Sequence, residues 1–332
     1  MLEPFSDEQL RTAINLEQAY HGWMSVERRI EAMPYALTVR NINGGQYLVE
    51  KFNRRGDSKS HGRQEEEKMR EVEDYRSDKE EAKQLASGMR AAVAEQAKVY
   101  RALSLPPLPS GAGRILRQAD KLKMLDGTIM VVGTNALPAY ALEAMAFIRD
   151  APDETQDFDI AWVKQEPETD ISPVWSMLKA VDSSYTINSE RPFQALNRDA
   201  YEVEILAAPS RIGAMTRRDK PRPVPLPEQE WLLLGKPVDH VVACRDRTAA
   251  RIVAPDPRYF ALHKLWMSDQ EKRNALKRPK DLRQGNALLN AIGAKMPHYK
   301  LDEEFGSALP PELHPYFNRW FEQWTPPDEP RW

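Results

Sequence analysis

Apolar residues recur at helical spacing from Ser6 to Ala32, at Leu10, Ile14, Leu16 and Tyr20, behind a Ser6 suited to an N-cap with Asp7 and Glu8 in the first turn. The period then falls to two. Tyr35, Leu37 and Val39 alternate up to Asn43-Gly44-Gly45, and Tyr47 and Val49 alternate away from it, predicting a β-hairpin whose turn needs positive φ. A basic, glycine-containing connection from Arg54 to Arg63 follows. One long helix is predicted over 64–103, with opposite charges at three- and four-residue spacing, such as Glu66 with Arg70 and Glu80 with Lys83. Its apolar stripe sharpens late, through Ala82, Leu85, Ala86, Met89, Val93, Ala97, Tyr100 and Leu103. The second half is therefore expected to pack on a core and the first half to project or lie in solvent.

The stretch from Leu105 to Gly113 reads as the clearest linker. Its Ser110-Gly-Ala-Gly113 lacks the Gly-Lys-Ser/Thr ending of a phosphate loop and no strand precedes it, so it is expected to be a flexible joint. A helix over 114–125 comes next, then an apolar run Ile129 to Val132 suited to a buried strand, then Gly133-Thr134-Asn135-Ala136 opening a further helix. Strands are expected around Thr155 to Val163, Tyr201 to Pro209 and Cys244. A late helix opens at Pro257 and carries Phe260, Ala261, Leu262, Leu265 and Trp266, and Tyr316, Trp320, Phe321 and Trp324 dock a last helix. Three segments result: 1–110, helices with a β-hairpin and a long charged helix; 111–255, the core; 256–332, a helical region.

Composition narrows the class. Hydrophobic residues make up 41%, enough for a packed interior, and no apolar run approaches the length of a membrane span. The start lacks a basic stretch followed by an apolar run, and a single cysteine, Cys244, can form neither an internal disulfide nor a thiolate zinc site; a cytoplasmic protein is expected, with Cys244 as packing. With 47 basic against 50 acidic side chains the net charge of −3 gives no global footprint for nucleic acid. Two basic clusters, Arg217, Arg218, Lys220 and Arg222, and Arg273, Lys277, Arg278, Lys280 and Arg283, read first as solvated faces. The six histidines show no His-Glu-x-x-His spacing, which removes support for zinc hydrolysis, and His263 reads as a packed or capping imidazole.

The chemistry is concentrated in three places. Gly133-Thr134 joins a strand to a helix, where Gly133 lets a phosphate approach the backbone and the Thr134 hydroxyl can donate to it. The strand period puts Asp157 and Asp159 on one face with Phe158 and Ile160 on the other; like charges side by side call for a cation or a proton, and carboxylates suit magnesium or manganese. Glu202 and Glu204 share a face of a later strand, and Glu204, flanked by Val203 and Ile205, can ligate metal or accept a proton. Lys264 reads either as a helix-surface lysine or as a cation facing phosphates, and Lys277 with Asp281 as a helical ion pair or part of the site.

Taken in this order, the three motifs resemble the minimal nucleotidyltransferases of the DNA polymerase β superfamily. That resemblance implies an α+β fold: a nucleotidyltransferase core with a mixed sheet, N-terminal helices plus a β-hairpin, and a C-terminal helical region. Gly133 and Thr134 fall on its first motif, Asp157 and Asp159 on its second and Glu204 on its third, where the family usually has Asp. The chain is further similar to a bacterial branch of nucleotidyltransferase-fold proteins, distantly like abortive-infection toxins, through the Gly44-Gly45 hairpin, the helix after Gly62-Arg63, Val132-Gly133-Thr134, Asp182-Ser183-Ser184-Tyr185 and the stretch from Asp256 to Leu265. The resemblance implies transfer of a nucleotidyl group from a nucleoside triphosphate to a hydroxyl of a protein, RNA or small molecule. Asp157, Asp159 and Glu204 would hold Mg2+ or Mn2+, and Gly133, Thr134 and Lys264 the phosphates. Two alternatives stand beside it: a module that binds nucleotide or a partner without catalysis, and a toxin–antitoxin or phage-defence component whose 64–103 helix engages a protein partner.

Overall fold

The protein is described by a computed structural model over residues 2–52, 57–63, 66–151, 157–164, 172–213 and 220–325. Arg217 and Arg218, residues 54–56 of the basic connection, residues 64 and 65 of the long helix, and Thr155 lie outside the described residues. The chain forms two compact units, one of Met1–Glu17 with Gln96–Trp332 and one of Gln18–Glu95, and it passes between them within helices α1 (Asp7–Ala32) and α2 (Glu66–Ala102). The proline-rich stretch at 105–113 lies inside the first unit, as do the late helices.

In the Gln18–Glu95 unit the hairpin is β2 (Ala36–Ile42) and β3 (Gly45–Lys51), paired from Ala36↔Lys51 to Ile42↔Gly45. Asn43 and Gly44 both adopt positive φ, 49° and 78°, as a two-residue hairpin turn demands. A third strand, β4 (Ser58–Arg63), pairs antiparallel with β3; the sequence reads there as a connection because nearly every side chain is exposed and no apolar alternation marks it. Leu37, Leu48 and Val72 form a small core with Val39 and Tyr75 packed on it. The first half of α2 thus carries the sheet on one face, contrary to the expectation that it lies in solvent. Tyr75 Oη donates to the Pro34 carbonyl at 2.7 Å, and Lys79 Nζ to the Pro34 and Tyr35 carbonyls at 2.6 and 2.8 Å. The sequence stripe errs at Leu85, which is exposed.

The larger unit opens with a strand that periodicity does not reveal, β1 (Leu2–Pro4). At the start of α1, Ser6 and Gln9 cap each other's backbone N–H reciprocally, at 3.3 and 2.8 Å. Leu16 and Tyr20 of α1 are buried, while Ile14 is exposed, outside the expected stripe. Leu105 and Leu108 are fully buried, and Leu108 bridges to Cys244, its N–H donating to the Ala243 carbonyl at 2.9 Å. Ser110-Gly-Ala-Gly113 is the first turn of helix α3 (Ser110–Lys121), so the expected flexible joint is ordered structure. Gly113 is there for contact: a Cβ on it would lie 2.5 Å from Cys244 Sγ.

After α3 come β5 (Ile129–Val132), α4 (Leu137–Glu143), β6 (Ala146–Ile148), β7 (Asp157–Trp162), α5 (Ser172–Val181), β8 (Thr186–Ile187), β9 (Gln194–Leu196), β10 (Glu202–Ala207) and β11 (Val224–Pro225). The central sheet runs β5-β7-β10-β9-β8, with β11 also on β10. It is mixed: β7 and β11 run parallel to β10, while β5 is antiparallel to β7 and β9 to β10. The parallel strands read as apolar because Phe158, Ile160, Val203 and Ile205 are buried on the face away from the acids. β6 pairs with β1. A hairpin, β12 (Val238–Ala243) and β13 (Ala249–Ala254), precedes helices α6 (Pro257–Asp269), α7 (Arg278–Lys295), α8 (Glu303–Ser307) and α9 (His314–Gln323). Asp256 caps α6, accepting from the Arg258 N–H at 3.0 Å. Phe317 and Trp320 are the buried aromatics of α9, Trp320 donating to Asn290 Oδ1 at 2.8 Å, whereas Phe321 is 37% exposed and stacks on Phe317.

Among the described residues no helix is long and apolar enough to cross a membrane. The Gly113 contact gives a stability test. Alanine normally favours a helix over glycine by about 1 kcal/mol, but here Gly113→Ala should lower unfolding free energy by roughly 1–2 kcal/mol through overpacking against Cys244. In a Cys244→Ala background, where the contact with Sγ is gone, the same change should cost clearly less, and urea melts of the four proteins check it.

Candidate active site

The site begins where β5 ends. Val132 pairs with Asp159 on β7, so the turn that follows is delivered beside that carboxylate. Gly133 has φ 78°, and a Cβ on it would run into the Asp159 carboxylate, so no other residue fits there. Thr134 is buried and its Oγ1 accepts from Gln284 Nε2 at 3.3 Å; Asn135 Nδ2 donates to the Asp157 carbonyl at 3.0 Å, fastening the turn to the start of β7. A short 3-10 turn, Thr134–Ala136, leads into α4.

β7 is an interior strand rather than an edge. Its parallel register with β10 sets Asp157 beside Glu202 and Asp159 beside Glu204, and strand alternation turns all four carboxylates to one face. Burial pushes the Asp159 carboxyl up to about 7, with further upward pressure from the neighbouring Asp157 and Glu204 charges. Glu204 is raised for the same reasons, burial first and Asp157 second. Relief comes from the next strand: Gln194 of β9, fully buried, donates from Nε2 to Glu202 at 2.9 Å and to Glu204 at 3.1 Å.

The late helices supply positive charge. Lys277, just ahead of α7, bonds Asp157 Oδ2 at 2.8 Å, and this bond raises its pKa against the pull of burial. Lys264 of α6 is buried and paired with the buried Asp281 of α7 at 3.0 Å, and Arg273 Nε reaches the other oxygen of Asp281 at 2.7 Å. α6 and α7 come close enough for this because Gly285 lies against Leu265. Lys280 is half-buried in the same wall, its pKa lowered by burial and then by Lys264. Acids and cations line one cleft of about 270 Å³, with Gly133, Thr134, Asp157, Asp159 and Glu204 contributed by the sheet and its turn and Lys264, Arg273, Lys277 and Lys280 by the late helices and the segment between them.

All six residues singled out from sequence, Gly133, Thr134, Asp157, Asp159, Glu204 and Lys264, therefore line one cleft. Lys264 is not a helix-surface lysine. Lys277 and Asp281 both line the cleft, but each pairs with a residue other than its helical neighbour. The second basic cluster is not uniformly a solvated face: Arg273, Lys277 and Lys280 line the cleft, while Arg283 is exposed and Arg278 donates to the Ser268 carbonyl at 2.7 Å. Sequence reasoning missed Gln194, whose only signal is its place opposite Glu204 on a neighbouring strand, and Gln229, which also lines the cleft. Cys244 is buried packing, and burial pushes its thiol up to about 12. Among the described residues no group of three or more His, Cys, Asp or Glu side chains is gathered as a ready metal cluster. The donor chemistry nonetheless suits a hard divalent cation, since it is all carboxylate oxygen and its mutual repulsion is incompletely neutralised.

A family model described as Nucleotidyltransferase matches residues 110–310. The chain belongs to the nucleotidyltransferase family. Every residue lining the cleft of this nucleotidyltransferase lies inside the matched stretch, which runs from the start of α3 past α8. No curated protein and no solved structure matches the chain.

The crowded carboxylates give the nucleotidyltransferase a definite pH dependence without divalent ions. Asp159 keeps its proton in the folded chain up to about 7, but in the unfolded chain releases it near its ordinary value. The folded state thus holds the extra proton between those values, and stability falls as pH rises through the window. In a chelating buffer the melting temperature should drop from about pH 5 to about pH 8, and Asp159→Asn should flatten the slope and melt higher than wild type at the alkaline end. Calorimetric scans at each pH check it.

Proposed function

We propose that this nucleotidyltransferase moves a nucleoside monophosphate from a nucleoside triphosphate to a hydroxyl of a protein, RNA or small molecule, with Mg2+ or Mn2+ as cofactor. The observation that supports it best is one cleft with carboxylates on its floor and ammonium and guanidinium groups on its wall. A polyanion with bound cations matches both sets of charges at once; a purely cationic substrate matches only one and a neutral one neither.

Asp157 and Asp159 would hold the cation, with Glu204 beside them; when bound, it would supply positive charge to offset that of the phosphates and of the attacking oxygen. Gly133 keeps its backbone open to the phosphates, and Thr134 offers its hydroxyl. Lys264 and Arg273, held in place by Asp281, set positive charge along the wall without rearranging when substrate enters. Lys277, which pairs with Asp157, is the most exposed of these cations and is placed to turn toward phosphate. The acceptor oxygen attacks the α-phosphorus and the bond to the bridging oxygen of the β-phosphate breaks, releasing pyrophosphate. Glu204, whose carboxyl is raised, takes the hydroxyl proton.

Asp157→Asn with Asp159→Asn should lower transfer by at least about a thousandfold while circular dichroism stays native. Turnover from labelled triphosphates into added acceptors reads the loss, and retained turnover overturns the assignment. The hold of Lys277 on Asp157 favours a second reading, a module that binds nucleotide without transferring it. Magnesium-dependent binding with no transfer to any acceptor would select that reading.

A further inference from the structure

The cleft has a second half with a different chemistry. Along the cleft face of β10, Glu204 is followed by Leu206, so one period of the strand, about 6.6 Å, carries the lining from carboxylate to hydrocarbon. Leu206 pairs with Val224 on β11, and Leu226 and Leu232 extend the apolar wall. Two buried polar side chains also line the cleft, Gln229 from the segment that carries Leu232 and His263 beside Lys264. Gln229 is 4% exposed, and its Oε1 is buried with no hydrogen-bond partner. His263 is 7% exposed, and neither of its ring nitrogens is bonded.

These are costly omissions for structural side chains. Buried polar atoms nearly always have a partner, and one left without it forfeits its desolvation free energy. The imidazole is also fixed in place, stacked on Trp266 and edge-on to Trp231, with ring centroids 6.3 Å away in each case. Burial, then the charge of Lys264, pushes His263 down to about 3, so the ring is neutral at ordinary pH, with one donor and one acceptor nitrogen. A neutral donor–acceptor set supplies no charge to offset phosphate, and its acceptor atoms have nothing to accept from one. It matches the edge of a flat heterocycle that carries both donors and acceptors.

We propose that Gln229 and His263 read the edge of the nucleobase and decide which nucleoside triphosphate this enzyme accepts. The inference rests on the transfer reading for the presence of a triphosphate in the cleft. The phosphates lie toward Lys264 and Lys277, and the base lies between Leu206 and Leu232. A site that hydrogen-bonds its ligand rejects ligands that leave its buried groups unpaired, which makes these two residues determinants of specificity rather than of turnover.

The test is calorimetric titration of ATP, GTP, CTP, UTP and inorganic tripolyphosphate, with magnesium, into wild type and Gln229→Leu. Wild type should separate its best and worst nucleotide by about tenfold or more. Gln229→Leu should shrink that spread to about threefold or less and leave tripolyphosphate affinity unchanged. A second measurement on the unaltered protein uses 15N-labelled histidine. The ring that does not titrate between about pH 5 and 8 should shift with the preferred nucleotide and not with tripolyphosphate. Equal affinity for all four nucleotides in wild type overturns the proposal and leaves the transfer reading intact. A preference that survives Gln229→Leu removes Gln229 from the role, and a ring resonance indifferent to the base removes His263. Failure of wild type to bind any nucleotide or tripolyphosphate overturns the transfer reading and this inference with it.

Discussion

Parallel pairing of β7 with β10 is the constraint on which the site depends. Its register leaves no choice about where the acids go: Asp157 lies beside Glu202 and Asp159 beside Glu204, all on one face. Such a row of like charges is unfavourable in a half-buried setting, and several features of the surrounding structure answer it. Gln194 donates to two of the acids from the neighbouring strand, Lys277 closes on a third, and the proton retained by Asp159 removes part of the remaining charge. Gly133 is fixed by the same row, since the turn beside Asp159 has no room for a side chain.

The positive wall follows a different logic. Lys264 is buried, and a buried ammonium without a partner is strongly unfavourable. Asp281 offsets that cost and, by accepting from Arg273 as well, ties two cations to one carboxylate, so the trio retains net positive charge facing the acids across the cleft. The wall is therefore preorganised rather than assembled from flexible surface lysines. Lys277 differs in being exposed, and its partner belongs to the opposite side of the cleft.

Much of this was legible in the residues themselves. Apolar β-branched runs interrupted by acids at a period of two located β7 and β10, and Gly133-Thr134 marked the turn because few residues suit such a position. What periodicity could not carry was pairing. Nothing local shows that β7 is interior, that Leu2–Pro4 forms a strand with β6, or that exposed Ser58–Arg63 adds to the hairpin. Ser110-Gly-Ala-Gly113 was misread because Gly111 answers to Tyr201 and Gly113 to Cys244, both far along the chain, and local rules see only flexibility. Lys264 was ambiguous for the same reason: its burial depends on Asp281 in another helix.

The parallel register also has a consequence for the order in which the molecule can form. Parallel neighbours cannot be joined by a tight hairpin, and here α5, β8 and β9 intervene between β7 and β10. The acids of β7 are far from those of β10 in a disordered chain, and the two pairs meet only when that long loop closes; the cations that pair with them come from still later sequence. Crowding between the two pairs is thus absent from early, locally structured species and is concentrated in the completed sheet, so its relief is felt there and not in how fast the chain first collapses.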